Sequence, residues 1–112
     1  MRVISQNKKN DFPYENGTVF FCEAAGRNII KIKISGDDAL GVLGEYSTRE
    51  KAIKAMEMLR GRYRKLEVMK VIASGTAEYM EKSLTTNEMI GQYNAYCDMN
   101  VFQFPQDDEI EV

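Results

Sequence analysis

The stretch from Tyr46 to Leu66 constrains the fold most, because its apolar residues recur at the spacing of an amphipathic helix. Ser47 and Glu50 match a capping box, in which each side chain bonds the backbone N–H of the other residue. We therefore expect the main helix to begin near Thr48 and to occupy residues 47–66. Steps of three and four residues place one apolar set within a single stripe: Ala52, Ala55, Met56, Leu59, Tyr63 and Leu66.

The opposite face of this helix is basic. It presents Lys51, Lys54, Arg62 and Lys65, with Met58 among them. At 100° per residue, Arg60 and Arg64 lie between the two faces. One side of the helix is therefore expected to pack against the chain, and the other to present positive charge.

Length and composition favour one domain over residues 1–112. A chain of 112 residues with 44% hydrophobic residues can bury one core but is too short for two. It has no run of about eighteen apolar residues, and MRVISQNKK lacks the apolar centre of a signal peptide. We expect a cytoplasmic protein with no membrane partner, in which Cys22 and Cys97 are free thiols.

Charge is distributed unevenly along the chain. The net charge is 0 over residues 1–48, +5 over 49–70 and −7 over 71–112. This pattern allows the acidic end to meet the basic helix of the same chain or of a neighbouring copy. Two solvated faces of unlike charge explain it equally well.

The residues before the main helix predict antiparallel strands over 1–46. TVFFCE at 18–23 is typical of a covered strand, and the turn residues Gly26-Arg27-Asn28 lead into a second strand. In that second strand Ile30, Ile32 and Ile34 alternate with lysines, which makes the three isoleucines core candidates. The two glycines of ALGVLGEY permit a bulge in a third strand.

The signal weakens beyond the main helix. Lys70 falls where the apolar stripe needs another apolar residue, so residues 67–75 fit either a helical continuation or a strand. Residues 76–97 predict a second helical region, 101–104 a final strand, and 105–112 an acidic tail. The expected fold class is α+β: a small antiparallel meander packed on one long amphipathic helix and a second, C-terminal helix.

The chemistry of the chain argues against catalysis. It contains no histidine, which removes the commonest general base and metal ligand. Neither GxxxxGK[ST] nor GxGxxG occurs, so no glycine-rich phosphate loop is indicated. We expect no enzyme activity, no cofactor and no metal site.

Arginines beside aromatic and amide residues nevertheless suit a nucleotide. Guanidinium groups hold phosphates, rings stack on bases, and an asparagine side chain can pair with a base edge. The candidate ligand-binding residues are Arg27, Arg60, Tyr93 and Asn94. A solvated basic face with tyrosines in the core is the alternative explanation.

Four segments carry a resemblance to a known group of proteins. MRVISQ, FPYE, LGEYSTREKAIKAMEMLRGRY and VFQFPQDDEIEV, at 1–6, 12–15, 43–63 and 101–112, resemble short phage and prophage proteins of Gram-positive bacteria. Within that group the chain is similar to the anti-Thoeris sponge family, Thoeris anti-defence protein 1. The resemblance implies antiparallel sheets over long helices, and assembly into dimers or higher oligomers. It also implies sequestration of cyclic ADP-ribose signals, or of the cyclic oligonucleotides of CBASS defence.

The leading hypothesis is therefore a phage anti-defence protein that sequesters a cyclic nucleotide without cleaving it. A protein-binding inhibitor of a host enzyme is the first alternative. A nucleic-acid-binding protein using residues 49–70 is the second, disfavoured because the acidic remainder repels a phosphate backbone. We also expect a homo-oligomer, formed most simply by a two-fold contact between helices.

Overall fold

The computed structural model describes residues 1–83, 91, 95 and 97–111, with no description of the side chains of 72–83. The fold is α+β, as predicted. In chain order its elements are β1 (Arg2–Ile4), β2 (Asp11–Pro13), β3 (Gly17–Ala24), β4 (Arg27–Ile34), β5 (Leu40–Tyr46), α1 (Arg49–Ser83) and β6 (Val101–Gln103). Helical backbone is also present at Gly91, Ala95 and 97–99, in the short C-terminal helix. Two 3-10 turns occupy Tyr14–Asn16 and Asp107–Glu109.

The meander sheet consists of β3, β4 and β5, each antiparallel to the next. Its first turn contains only Ala25 and Gly26, both with positive φ, at 53° and 75°. Such a primed turn follows the right-handed twist of the strands. The predicted turn residue Arg27 instead begins β4 and pairs with Ala24. The predicted bulge is present in β5, where the register with β4 shifts at Leu43.

The mixed sheet brings the two ends of the chain together. Its order is β2-β1-β6, with β1 antiparallel to β2 and parallel to β6. The sequence predicted strands within 1–46 and a final strand at 101–104, but not the parallel pairing of β1 with β6. The aromatic ring of Phe12, on β2, occupies the space beside Gly41, where a Cβ atom would collide with it. The two sheets are therefore in direct contact.

The core lies between α1, the mixed sheet and one face of the meander sheet. Ile30 and Ile32 are completely buried on this inner face, as predicted, while Ile34 is partly buried. α1 contacts β4 and β5. The predicted helical stripe faces this core, since Ala52, Ala55, Leu59 and Leu66 are buried. The outer face of the meander sheet carries the alternate residues, Ile29, Lys31 and Lys33.

The main helix is longer than residues 47–66. It runs from Arg49 to Ser83, roughly 50 Å at 1.5 Å per residue. It passes through 67–75 and takes in the first part of the predicted region 76–97. Lys70 ends the apolar stripe without ending the helix, because the segment contains no proline and its backbone bonds need no apolar face. Of the predicted second region, 84–90, 92–94 and 96 lie outside the described residues.

The cap of α1 differs from the predicted one. Thr48 Oγ1 accepts the N–H of Lys51 at 3.2 Å, which makes Thr48 the N-cap residue. Ser47 bonds Asp107 instead, through its N–H at 2.7 Å and its hydroxyl at 3.0 Å. The C-terminal segment thus holds the start of the helix.

The acidic segment after β6 packs on the fold. Tyr46 donates its hydroxyl to the carbonyl of Pro105 at 2.8 Å, and Ile110 is buried. Lys51 Nζ lies 3.2 Å from Asp107 Oδ2, so this contact between the acidic and basic blocks is made within one chain. Within the described residues, no helix is long and apolar enough to cross a membrane.

Candidate ligand-binding groove

A shallow groove lies where α1 passes the residues before β6. Its volume is about 360 Å³, and it is lined by Arg64, Lys65, Val68, Met69 and Met99. The last buried residue described on α1 is Leu66, two residues before the apolar part of the groove. Val68 and Met69, beyond this buried part of the helix, are 53% and 37% exposed.

Positive charge lines one side of this groove. The charged residues of its lining are Arg64 and Lys65. Arg60 is exposed one helical turn before Arg64, with the two Cβ atoms about 6 Å apart, but it is not part of the lining. In the described part of the chain neither makes an ion pair, whereas Lys51 and Lys70 do. Like charges at this spacing repel each other modestly. An anion bound close to Arg60 and Arg64 would reduce this repulsion.

The arrangement suits a ligand that is both planar and anionic. An apolar floor of valine and methionine contacts a ring by dispersion, and methionine adapts to irregular shapes. The guanidinium group of Arg64 supplies a planar fork that matches phosphate oxygens, and Lys65 adds a second positive charge. The described residues contain no group of three or more cysteines and carboxylates placed to hold a metal ion.

A second groove, of about 540 Å³, lies beside β6, nearer to the start of α1. Its lining is Met58, Arg62, Cys97, Asp98, Val101, Phe102 and Gln103. Arg62 was predicted on the solvated basic face, but its Nη1 donates to the carbonyl of Val101 at 2.9 Å and its guanidinium lies 5.9 Å from the Phe102 ring centre. Its charge is thus already engaged, and Asp98 opposes an anion.

A third groove lies at the end of the meander sheet. It measures about 490 Å³ and is lined by Glu15, Asn16, Gly17, Thr18, Lys33, Ser35 and Gly36. Its single lysine is balanced by a glutamate, so it does not concentrate positive charge either. Of these three grooves, the one beside Arg64 joins an apolar surface to cations that make no ion pair within the described residues.

Arg27 occupies a different part of the molecule from Arg60. Its Nε and Nη2 donate to the two carboxylate oxygens of Glu45 at 2.7 and 2.9 Å. The hydrogen bonds lower the pKa of Glu45 and raise the pKa of Arg27. By strand alternation Arg27 shares the outer face with Ile29, while α1 covers the inner face. One chain does not bring Arg27 and Arg60 together.

The other two predicted ligand residues, Tyr93 and Asn94, lie outside the described residues. Sequence reasoning did not select Arg64, Lys65, Val68, Met69 or Met99 for the groove. The available signal was the placement of Val68 and Met69 after the last residue of the apolar stripe, on a helix that continues.

Comparison with known proteins gave no relative on which to base a function. No protein-family model, no curated protein and no solved structure matches the chain.

Proposed function

We propose that this protein is a binding protein that sequesters a cyclic nucleotide without cleaving it. The observation that carries the proposal is the groove at Val68 and Met69, which places an exposed apolar floor beside Arg64 and Lys65, neither of which makes an ion pair within the described residues. A cyclic nucleotide combines a base with phosphate charges in a compact ring. The apolar floor of the groove suits the base, and the positive charges beside it suit the phosphates.

The resemblance supports the biological setting of this proposal. It points to a phage-encoded anti-defence protein that acts in the host cytoplasm and removes a cyclic ADP-ribose signal, or a cyclic oligonucleotide, from circulation. In this setting the protein is a homo-oligomer and needs no cofactor. Sequestration requires binding alone, which agrees with a chain that has no histidine.

The phosphates and the base of the ligand are proposed to contact different residues in and beside the groove. The phosphates bind Arg60 and Arg64, because charge-assisted hydrogen bonds from a planar guanidinium are short and directional. The base lies against Val68 and Met69. Arg27 is exposed on the outer face of the meander sheet, so it reaches the same ligand only from a second copy of the chain.

Isothermal titration calorimetry with cyclic ADP-ribose and a panel of cyclic dinucleotides tests this proposal. Arg60→Ala and Arg64→Ala should each weaken binding roughly tenfold to 100-fold, the range of one charge-assisted hydrogen bond. Lys9→Ala is the control, because it removes one positive charge from an exposed position in the loop between β1 and β2. It should bind as the unmodified protein does.

The fate of the ligand separates sequestration from catalysis. Heat denaturation of the complex should release the nucleotide unmodified, as measured by chromatography and mass spectrometry. Recovery of a linear nucleotide would show a hydrolase instead. If no cyclic nucleotide binds, the exposed apolar groove is better explained as the contact surface of a protein-binding inhibitor.

A further inference from the structure

The two edges of the meander sheet differ in how they are covered. At the β5 edge, Gln6 donates its N–H to the carbonyl of Leu43 at 2.6 Å, and its side-chain oxygen accepts the N–H of Glu45 at 2.9 Å. The eight-residue strand β3 forms the other edge. No comparable bond reaches the open side of β3 within the described residues.

The pairing with β4 shows which groups of β3 are free. Ala24 and Arg27 flank the two-residue turn, and a turn of this length makes them a hydrogen-bonded pair. Bonded and non-bonded pairs alternate along an antiparallel ladder. Residues Val19, Phe21 and Glu23 therefore direct their N–H and C=O groups away from β4, toward the open side.

Little on β3 prevents another strand from adding there. Natural sheet edges are commonly blocked by lysine, proline, a bulge or a covering loop. β3 contains neither lysine nor proline, and its register with β4 is regular over all eight residues, so it has no bulge. Its centre is the apolar run VFFC. Glu23, near its end, is its only charged residue. An exposed apolar edge of this length is a template for pairing.

Charge indicates which strand fits. Arg49 lies over the ring of Phe21, with Cζ 5.9 Å from the ring centre, and so stands beside the open edge. Within the described residues neither Arg49 nor Glu23 makes an ion pair. If Phe21 pairs with Phe21 of a second copy in antiparallel register, Glu23 of that copy lies opposite Val19, about 7 Å along the strand from Phe21. That distance is within the reach of an arginine side chain.

We propose that β3 pairs antiparallel with β3 of a second copy of this chain, which joins the two meander sheets into one six-stranded sheet. Two-fold symmetry makes the contact self-complementary, with Glu23 of each copy paired to Arg49 of the other. The inference names the contact of the proposed homo-oligomer, but it does not depend on nucleotide binding. The helical stripe does not serve this purpose, because the chain's own core buries it.

Charge reversal tests the contact. Glu23→Arg and Arg49→Glu should each weaken dimerisation at least tenfold in sedimentation velocity, because like charges then meet twice across the two-fold axis. The double variant should restore the dimer, of twice 12.8 kDa. Glu111→Arg, at an exposed position in the C-terminal segment, is the charge-matched control and should dimerise normally. Circular dichroism checks that every variant is folded.

Amide hydrogen exchange locates the contact independently. The N–H groups of Val19, Phe21 and Glu23 should exchange slowly in the dimer and rapidly in the monomeric variants. If the protein stays monomeric at 100 times the concentration used in the calorimetric titrations, the proposal is wrong. A strand of another protein is then the better candidate to pair with the β3 edge. A dimer with rapidly exchanging β3 amides, or one that the double variant does not restore, would also overturn the proposal. Each outcome is independent of whether a cyclic nucleotide binds.

Discussion

The guanidinium of Arg27 and the carboxylate of Glu45 form a two-bond ion pair across β4 and β5, at 2.7 and 2.9 Å. Both side chains are largely exposed, on the face of the meander sheet that α1 does not cover. A phosphate that binds Arg27 must therefore compete with a carboxylate of the same chain.

This competition can be measured by calorimetry with a cyclic nucleotide. Arg27→Ala should weaken binding roughly tenfold to 100-fold if Arg27 is a ligand residue as predicted. Glu45→Gln should strengthen binding, because it removes the competing charge and leaves the arginine in place. If both variants bind the nucleotide with the affinity of the unmodified protein, the Arg27–Glu45 ion pair takes no part in ligand binding.

The core position Ile32 should contribute strongly to stability. It is fully buried between the meander sheet, α1 and the ring of Phe12. Ile32→Ala should lower the free energy of unfolding by about 2 to 5 kcal/mol in urea titrations. Leu40→Ala is the matched control at a side chain that is 49% exposed, and its effect should stay within about 0.5 kcal/mol. The reverse order would contradict the assigned faces.

Periodicity predicted the parts of the fold that obey a local rule. The stripe from Ala52 to Leu66 and the alternation at Ile30 and Ile32 place apolar side chains on one side of a regular element, so the buried face is visible in the sequence. The same logic failed at the end of the helix. α1 continues beyond Leu66, where Val68, Met69 and Val71 are exposed, and an exposed helical segment has no buried apolar stripe from which its length could be predicted.

Contacts between distant segments were not predictable in this way. β1 pairs with β6 in parallel, and Ser47 bonds Asp107 across 60 positions of sequence. Each depends on how the whole core packs. The site shows the same division. Composition selected Arg60, but the groove is lined one turn further along α1, by Arg64, and it exists because Met99 returns to the flank of the helix.

Gly61 offers a test of the local environment on α1. It lies inside the helix, and a Cβ atom built there meets no atom within 4 Å. Gly61→Ala should therefore raise the free energy of unfolding by about 1 kcal/mol, the difference in helix propensity. Gly41→Ala is the contrasting change, because its Cβ would collide with the ring of Phe12. It should lower stability by about 1 to 3 kcal/mol in the same thermal or urea melts.

Stabilisation by both changes would show that β2 does not pack on β5 as described. Destabilisation by Gly61→Ala would show that another surface approaches α1 closely at that point.

The anchoring of the C-terminal segment should make stability depend on pH. Asp107 accepts the N–H of Ser47, and this bond is the main cause that lowers the pKa of Asp107 below its ordinary value of 3.8. Burial opposes this effect and raises the pKa, while the Ser47 hydroxyl and Lys51 each lower it by a lesser amount. A carboxylate with a lowered native pKa stabilises the fold above its ordinary pKa, and this contribution disappears as the pH falls through the native pKa.

Urea titrations between about pH 5 and pH 2 should therefore show a steeper loss of stability for the unmodified protein than for Asp107→Asn. At pH 5 the variant should be the less stable of the two, and the difference should shrink on acidification. Asp108→Asn is the control, because it removes the same charge from the neighbouring, exposed residue. It should follow the unmodified protein, and parallel curves for Asp107→Asn would show that the Ser47 contact does not stabilise the fold in solution.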